Sequence, residues 1–570
     1  MKKLLLLLFY SFFFLFSTLQ AQNTIPISEK VEKIFGKKTE IQFKFTIASK
    51  AEINKLTKII SIDNVNGNEV FAYSNKKEFA NFLQLNYDYQ IINTEDNRTD
   101  IKMLDNINSK DVQAWDFYPT YSAYDSLMTR FQTNYPNLCR TISIKTLASQ
   151  RKLLFVKISK NPDSKENEPK FLYTSSMHGD ELTGYILMLR LIDYLLSNYG
   201  TDARITNMLN NMEIWINPLA NPDGTYAGGN STVANATRTN ANGVDFNRNF
   251  PDPQDGNHPD GEAWQPETMA FMALADSVQF TMSANFHGGV EVANYPWDTW
   301  SQLPADNNWW NYVCREYVDT IHLYNPNYFT YLNNGITNGY AWYEVAGGRQ
   351  DYMNYFKHCR EVTMEISNIK TPPASTLPNY WNYNYRSLLN YMEQSMYGIK
   401  GIVTDSITGA PLKAKVFIQG YDIDSSHVNS MMPLGNYFRP IYAGNYNVTY
   451  SSSGYYSKTV NITATNKASF IRNIQLVKTG SSIQNLDNKT EFSLFPNPTQ
   501  NSVNIRSINQ FVKNTTLIIT DINGKVLYNS DVPLNIKEIT INLEGFSKGI
   551  YFVKLMNDKE INAVKKLILN

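Results

Sequence analysis

An α/β fold built on a mixed or parallel sheet is the class that the sequence predicts for the centre of the chain, with all-β regions after it. Between residues 115 and 398, helical stretches alternate with the strand-like runs LLFVKIS, KFLYTSS, MEIWINP, FTMSANFH and EVTMEIS. Over 399–478, short strands alternate with Gly, Asn and Asp turns, which is typical of a β-sandwich. The last stretch, 491–570, again predicts only strands, and a polar linker at 479–490 precedes it.

The composition is that of a folded protein with several domains. The chain has 570 residues, whereas one domain takes roughly 100–200, and a hydrophobic content of 42% suffices for buried cores. Because 52 basic side chains balance 52 acidic ones, the net charge gives no reason to expect nucleic acid as a partner. We expect a monomer. The three cysteines fit either one disulfide with a free thiol or three free thiols.

The N-terminus has the pattern of a secretory signal peptide. A basic start at residues 1–3 precedes an apolar run at 4–16, and we expect cleavage after Ala21. The alternative is a retained membrane anchor, for which the apolar run is short. We therefore predict a signal peptide over 1–21 and an exported protein.

Residues 22–114 are predicted to form a small α/β unit that holds no catalytic constellation. Strand-like runs occupy 40–48 and 68–74, and helical runs occupy 50–60 and the stretch from 76 onward. The place of this unit ahead of the central domain suggests a pro-segment, on position alone.

Four polar residues of the central region lie where strands are predicted to end. His178 and Glu181 occupy the turn before the clearest helix, Leu182–Ser197, whose apolar residues recur at helical spacing. His287 and Glu365 each lie at the end of a strand-like run. Because ligands of open α/β sheets gather at the carboxyl ends of strands, these four side chains can converge.

These residue types suit a catalytic zinc site. Two imidazoles and one carboxylate leave one coordination position open for water, and a further carboxylate nearby could accept a proton. The pair His178-x-x-Glu181 is weak by itself, because Glu181 can simply cap the following helix. Spacing does not select the second histidine either. Besides His287, four histidines remain candidates on chemistry alone: His258, His322, His358 and His427.

A polar loop supplies a second constellation. Arg238, Asn247 and Arg248 lie within eleven positions of one another in RTNANGVDFNRNFP. Two guanidinium groups and an amide form a natural receptor for a carboxylate, since arginine donates to it in a fork. The alternative is a solvated loop whose Asn and Gly residues only form turns.

The motifs together resemble those of a known family. HGDE, NPDG, RTNANGVDFNRNFPD, NFHGGVEVANYPWD, GITNGYAWYEVAGGRQDY and EVTMEIS follow the order and spacing of zinc metallocarboxypeptidases. The resemblance is to the carboxypeptidase N/E/D branch and covers roughly Trp115–Gly398. It implies a mixed-sheet metallocarboxypeptidase domain with helices on both faces. The β-sandwich that follows is similar to the transthyretin-like domain of that branch.

The resemblance assigns a role to each candidate residue. It implies one Zn²⁺ per catalytic domain, bound by His178, Glu181 and His287, with Glu365 as general base and acid. The resemblance further implies that Asn247 and Arg248 bind the substrate's terminal carboxylate. Arg238 would contact the scissile carbonyl, and Tyr343 would close over the terminal residue.

Three further positions concern substrate preference, and a fourth concerns the metal site. The branch has an acid where Asp298 stands, which implies C-terminal Lys or Arg, and Gln350 is compatible with a basic side chain. The alternative for Asp298 is a solvated loop residue. Arg349 stands where the branch usually has Met, and it would oppose a basic substrate if it faced the pocket. Asp180 replaces a common Asn and adds a negative charge beside the metal site.

The end of the chain is similar to the C-terminal sorting domain of type nine secretion cargo in Gram-negative bacteria. FPNPTQNSVNI, TDINGKVLY and GIYFVK carry this resemblance. It implies the secretion machinery as a partner and a location on the cell surface or in the medium.

The sequence therefore predicts an exported zinc metallocarboxypeptidase that acts on the C-termini of peptides or proteins, with a preference for terminal Lys or Arg. One alternative is a zinc amidase acting on peptidoglycan stem peptides. The other is a peptide-binding surface protein without catalysis, which the complete ligand set and Glu365 disfavour.

Overall fold

The computed structural model describes residues 26–92, 100–108, 110–479, 492–508, 510–511, 514–557 and 560–570. The chain forms two compact units, one made of residues up to 453 with 457–476, and the other of 454–456 with 477–570. The signal peptide expected at 1–21 and all but the first residue of the linker expected at 479–490 lie outside the described residues.

The first part of the larger unit is a small sheet with helices. Its antiparallel strands lie in the order β2-β3-β1-β4 around a core of their own. Of the helix expected over 50–60, only a short α-helical turn forms, after a 3₁₀ turn. The elements are α1 Ile27–Phe35, β1 Ile41–Thr46, α2 Ile53–Leu56, β2 Ser61–Asn66, β3 Glu69–Ser74, α3 Lys76–Leu83 and β4 Tyr89–Ile92.

An eight-stranded mixed sheet forms the centre of the larger unit. Its order is β13-β12-β14-β11-β9-β10-β8-β7, with a parallel middle formed by β14, β11, β9 and β10. The mixed α/β fold expected from the sequence is confirmed. The strands are β7 Cys139–Thr146, β8 Lys152–Ile158, β9 Lys170–Ser175, β10 Glu213–Asn217, β11 Met282–His287, β12 Glu291–Tyr295, β13 Ile336–Asn338 and β14 Arg360–Ile366, after the short pair β5 Met103–Leu104 and β6 Tyr118–Pro119.

Helices cover both faces of this sheet. Leu154 and Val156 of β8 and Phe171 of β9 pack into one apolar cluster, whereas the alternating residues Leu153 and Leu172 pack into another. Strands buried on both faces are expected where helices cross between parallel strands. The helices are α4 Tyr121–Asn134, α5 Thr183–Asn198, α6 Ala203–Asn211, α7 Pro222–Thr225, α8 Pro266–Val278, α9 Asn307–His322, α10 Gly339–Trp342, α11 Arg349–Lys357 and α12 Leu377–Glu393, with an irregular turn at Tyr331–Gly335.

Residues 398–476 form two small sheets within the larger unit. One sheet joins β18, β15 and β21, with β22 also paired to β15, and the other has the order β17-β16-β19-β20. The strands are β15 Gly398–Asp405, β16 Lys415–Ile418, β17 Val428–Asn429, β18 Asn436–Arg439, β19 Gly444–Ser451, β20 Lys458–Ala464, β21 Ser469–Ile471 and β22 Ile474–Leu476.

A buried ion network joins these small sheets to the central sheet. Asp306, just before α9, accepts from Arg360 of β14 at 2.7 Å and from Arg439 of β18 at 2.9 Å. Arg439 also donates to Asp422 at 2.8 Å. The Arg439 side chain is 0% exposed, so its charge depends on these two carboxylates.

The second unit is all-β, as expected for the C-terminal region. It holds a three-stranded sheet, β23-β24-β27, and a four-stranded antiparallel sheet, β26-β25-β28-β29. Among the residues with described positions, no helix has both the length and the apolar character needed to span a membrane. The strands are β23 Phe492–Phe495, β24 Ser502–Ser507, β25 Thr515–Asp521, β26 Val526–Asp531, β27 Glu538–Asn542, β28 Gly549–Asn557 and β29 Glu560–Leu569.

The three cysteines are free thiols. Cys139, Cys314 and Cys359 are all buried, and none is paired with another. Burial raises the pKa of each thiol. Of the two arrangements that the sequence allowed, the structure has three free thiols.

The Asp306 network should contribute strongly to stability. Replacing Asp306 by Ala leaves two buried guanidinium groups short of a counter-charge, so we expect a loss of about 3–5 kcal/mol in the free energy of unfolding. Calorimetry of the full chain measures this. The matched control is Asp319→Ala, whose side chain is 61% exposed and lies 3.7 Å from Arg315; it should cost below about 0.5 kcal/mol. Equal losses in the two variants would contradict the network's role.

Candidate active site

The four residues expected at strand ends do converge. His178 and Glu181 lie in the turn between β9 and α5, and His287 is the last residue of β11. Glu365 of β14 is paired in register with His287 on the neighbouring parallel strand. The turn is held close to the NPDG loop, since a Cβ on Gly179 would lie 2.5 Å from the backbone of Gly224.

Two histidines and Glu181 form a compact triangle. His178 Nδ1 lies 3.0 Å from Glu181 Oε1, and His287 Nδ1 lies 2.9 Å from Glu181 Oε2. The two Nδ1 atoms are 3.0 Å apart. All three side chains are buried, and their ligand atoms lie within 4.8 Å of one another. Bonds of about 2.0–2.2 Å from one zinc ion to nitrogen and oxygen are compatible with this spacing, so the donor set fits zinc.

Two further residues orient the imidazoles. Asp245 Oδ1 lies 3.1 Å from His178 Nε2, and the side-chain amide of Asn285 lies 2.6 Å from His287 Nε2. A carboxylate such as Asp245, which accepts the N–H of the far ring nitrogen, directs the near nitrogen of His178 toward a metal. Burial alone would raise the pKa of Asp245, but His178 and Arg238 hold it well below its usual range. Our sequence analysis did not identify Asp245 or Asn285, although the Asp lies inside the NGVDFNR motif.

Glu365 faces the same cleft as the triangle. The cleft is lined by all three triangle residues, by Arg238 and Arg248, and by Glu365 itself. Oε2 of Glu365 is buried without a hydrogen-bond partner among the described residues. Burial, together with the negative charge of Glu181, raises the pKa of Glu365 well above its usual range. A carboxyl placed in this way, beside the triangle, is suited to accept a proton and to return it.

The two arginines and Asn247 lie on the cleft wall. Arg238 donates to Asp245 at 3.1 Å and to Glu181 at 3.2 Å, so it lies directly against the triangle. Arg248 belongs to a 3₁₀ turn whose first residues are held by Asp245, which accepts from the Asn247 backbone at 2.9 Å. The sequence prediction that these residues meet in one place agrees with this geometry.

Asp298 lines the cleft on its far side. Its Oδ1 accepts from Asn294 at 3.0 Å, and its backbone donates to Asp351 at 2.9 Å. A Cβ on Gly339 would lie 1.7 Å from this Oδ1, so only glycine leaves space for the carboxylate. Burial raises the pKa of Asp298 to about 7, although the Asn294 hydrogen bond and Arg248 lower it. The carboxyl therefore lies in the cleft rather than in a solvated loop.

Gln350 and Arg349 do not belong to the residues that line the cleft. Gln350 is buried, and its Oε1 accepts from the Thr363 backbone at 2.7 Å. Arg349 donates to Glu361 through Nε at 2.9 Å and Nη2 at 3.0 Å, and both side chains are almost fully buried. The sequence did not decide whether Arg349 faces the substrate pocket. In the structure its positive charge is paired with Glu361 inside the protein, away from the cleft.

Tyr343 and Asp180 contact the N-terminal sheet. The Tyr343 hydroxyl donates to the backbone oxygen of Asp63 at 3.5 Å. The Asp180 side chain accepts from Tyr73 at 3.3 Å, while its other oxygen has no partner among the described residues. Lys370, which the sequence analysis did not identify, donates to Glu181 at 3.0 Å. Its position in the sequence, seven residues before α12, gave no signal of this contact.

Comparisons with known proteins agree with this geometry. The family model described as zinc carboxypeptidase matches residues 124–387, and the one described as secretion system C-terminal sorting domain matches 493–570. Carboxypeptidase M of Mus musculus is 33% identical over 377 residues, covering 63% of this chain and 83% of that protein. The catalytic chain of Homo sapiens carboxypeptidase N is 32% identical, covering 60% and 82%. Carboxypeptidase D of Mus musculus is 35% identical over 64% of this chain, which spans only 27% of that longer protein.

The Arg349–Glu361 pair gives a prediction about stability. Arg349→Met removes the cation and leaves the fully buried Glu361 charge unpaired, so the free energy of unfolding should fall by about 3–5 kcal/mol. Denaturant unfolding of the full chain measures it. In the double variant Arg349→Met/Glu361→Met most of the loss should be recovered, because replacing a buried pair by apolar groups is often neutral. A single variant as stable as the parent would contradict the pairing.

Proposed function

Because the chain belongs to the zinc carboxypeptidase family, we propose that it is a zinc-dependent exopeptidase that hydrolyses the last peptide bond of peptides or proteins. The observation that carries the proposal is the cleft that combines the triangle, two arginines and Glu365, whose Oε2 has no hydrogen-bond partner among the described residues. A metal site alone would suit many hydrolases. Cationic groups beside it favour a substrate that ends in a carboxylate.

In this proposal His178, Glu181 and His287 hold one Zn²⁺. When bound, zinc supplies a Lewis acid that lowers the pKa of water to about 7 and polarises a carbonyl. Glu365 takes the proton from the attacking water and later gives it to the leaving amine, a use for which its raised pKa is suited. Arg238 stabilises the negative charge that develops on the carbonyl oxygen, since it is fixed beside the triangle.

Substrate binding in this proposal uses the far half of the cleft. Asn247 and Arg248 bind the terminal carboxylate, and Tyr343 closes over the terminal residue. Asp298 pairs with the terminal side chain, which favours Lys or Arg. Gln350 supports this pocket from behind rather than from its surface, in keeping with its contact to Thr363.

The parts of the chain that follow the catalytic region have roles outside catalysis in this proposal. The C-terminal sorting region supports recognition by the secretion machinery and a surface or extracellular location. Residues 399–478 are proposed to be a transthyretin-like domain, with two small sheets and a charged junction to the catalytic region. We propose a monomer.

The metal and the proton carrier can be separated by mutation. His178→Ala should lose both zinc content and hydrolysis of a blocked dipeptide, whereas Glu365→Gln should keep zinc and lose at least about 10²–10⁴-fold in kcat. Zinc is measured by atomic absorption, and chelation of the parent should abolish turnover. His258→Ala, an exposed histidine, is the matched control and should change neither quantity. Full turnover in His178→Ala would refute the metal assignment.

Terminal preference should depend on Asp298 and on pH. Paired blocked dipeptides ending in Arg or Phe are compared by kcat/KM, and Asp298→Asn should lose about 10–100-fold of the Arg preference. Since a carboxyl is charged above its pKa, the Arg preference of the parent should rise as pH increases through about 7. A preference for Phe in the parent would remove Asp298 as the selector. A zinc-loaded chain that cleaves neither dipeptide but cleaves muropeptides would favour the amidase alternative.

A further inference from the structure

The segment that carries Asp298 is held by a carboxylate from another element. Asp351 is the third residue of α11, and it is buried. Its Oδ2 accepts from the backbone N–H of Asp298 at 2.9 Å and from that of Thr299 at 2.8 Å. A carboxylate that accepts from two adjacent backbone donors fixes the chain that donates to it. Asp351 therefore determines where the backbone of Asp298 lies, although Asp351 does not belong to the residues that line the cleft.

Other contacts complete the positioning of Asp298. The hydroxyl of Thr299 donates to Asp252 Oδ1 at 2.9 Å, and the backbone N–H of Val345 donates to the backbone oxygen of Asp298 at 3.1 Å. Asn294 donates to Oδ1 of the Asp298 side chain. Within the described part of the chain, Oδ2 of Asp298 accepts no hydrogen bond of this kind, so Oδ2 is the oxygen left for a substrate cation.

Asp298, Asp351 and Asp252 bring three buried carboxyl groups together. Burial and the charge of Asp298 raise the pKa of Asp351 well above its usual range, and the charge of Asp252 acts in the same direction. The backbone hydrogen bonds to Asp351 only oppose this effect in part. The charged groups that face the three carboxyls from their surroundings are Arg248, Glu361 with its partner Arg349, and, beyond Asp252, Glu344.

These surroundings do not supply enough positive charge for the pair Asp298 and Asp351. Arg248 lowers the pKa of Asp298, whereas Asp252 and Glu361 raise it. The guanidinium of Arg349 is engaged by Glu361 through two of its nitrogens. Two neighbouring buried carboxyls that lack a full counter-charge retain one proton between them.

We propose that Asp351 is a second determinant of terminal-residue preference, a positioning residue that acts through Asp298, and that the two carboxyls release a shared proton when a basic terminal side chain binds. This inference rests on the proposed function. A cationic group at Oδ2 of Asp298 supplies the missing counter-charge, so both carboxyls become ionised and the proton leaves to solvent. A neutral terminal side chain leaves the proton in place.

The first test needs no change in the acid pair. Zinc-loaded full chain carrying Glu365→Gln is titrated at pH 7 with peptides that end in Arg or in citrulline, which has nearly the same shape without the charge. Calorimetry in two buffers of different ionisation enthalpy gives the number of protons released on binding. The Arg peptide should release about one proton more than the citrulline peptide. Equal release by the two peptides would overturn the inference.

The second test separates the charge of Asp351 from its position. Asp351→Asn keeps an oxygen that can accept from the backbone but removes the negative charge. Because a neighbouring anion no longer raises the pKa of Asp298, the Arg preference should begin to rise at lower pH than in the parent. The extra proton release at pH 7 should disappear. Asp351→Ala also removes the acceptor, so KM for the Arg-ended dipeptide should be about tenfold higher than in Asp351→Asn, with little change in kcat.

The matched control is Asp202→Asn. The Asp202 side chain likewise accepts from two backbone amides, those of Arg204 at 2.8 Å and Ile205 at 3.1 Å, but it does not line the cleft. This variant should change neither the pH profile nor the proton release. Hydrolysis that favours Arg with the same pH profile in Asp351→Asn and the parent would overturn the inference. Failure of the proposed function is seen differently, because chains with Glu365 intact would then hydrolyse neither dipeptide at any pH.

Discussion

The charged side chains around Arg238, at the carboxyl end of the central sheet, can be buried only because positive and negative groups there compensate one another. Arg238 is the central case: it lies against Asp245, Glu181 and Asp63 with only 3% of its side chain exposed. An unpaired charge at this depth would cost several kcal/mol. The same pairing fixes the direction of the His178 imidazole, because Asp245, which accepts from Arg238, also contacts His178 Nε2. The contacts that neutralise Arg238 therefore also position the side chains that surround it.

The parallel strands make that concentration of charge sterically attainable. β9, β11 and β14 are adjacent and parallel, so the residues at their carboxyl ends are neighbours in space. Strand interiors buried on both faces supply rigidity, while the polar residues are confined to the ends. The ion network at Asp306 applies the same rule elsewhere, where the charges join the small sheets to the central one.

The sequence predicted most of this arrangement because the relevant signals were local. The helix expected at Leu182–Ser197 forms at Thr183–Asn198, and the strand-like runs of the central region became strands. β2 was missed because SIDNVN is rich in Asp and Asn, which are depleted in strands, and it forms only by pairing with β3. The direction of Arg349 could not be predicted either, since it depends on Glu361, which lies on another element. Signals that need a tertiary partner are absent from a single sequence.

The buried cysteines bear on how this protein meets an oxidising environment. Cys139, Cys314 and Cys359 are buried, and their raised pKa values keep them in the thiol form. Oxidation and alkylation proceed through an accessible thiolate. In the folded chain, we therefore expect the three cysteines not to react with oxidants or alkylating reagents. A single cysteine introduced on the exterior would then be the sole reactive thiol of the folded chain, which offers a defined attachment point for a spectroscopic probe.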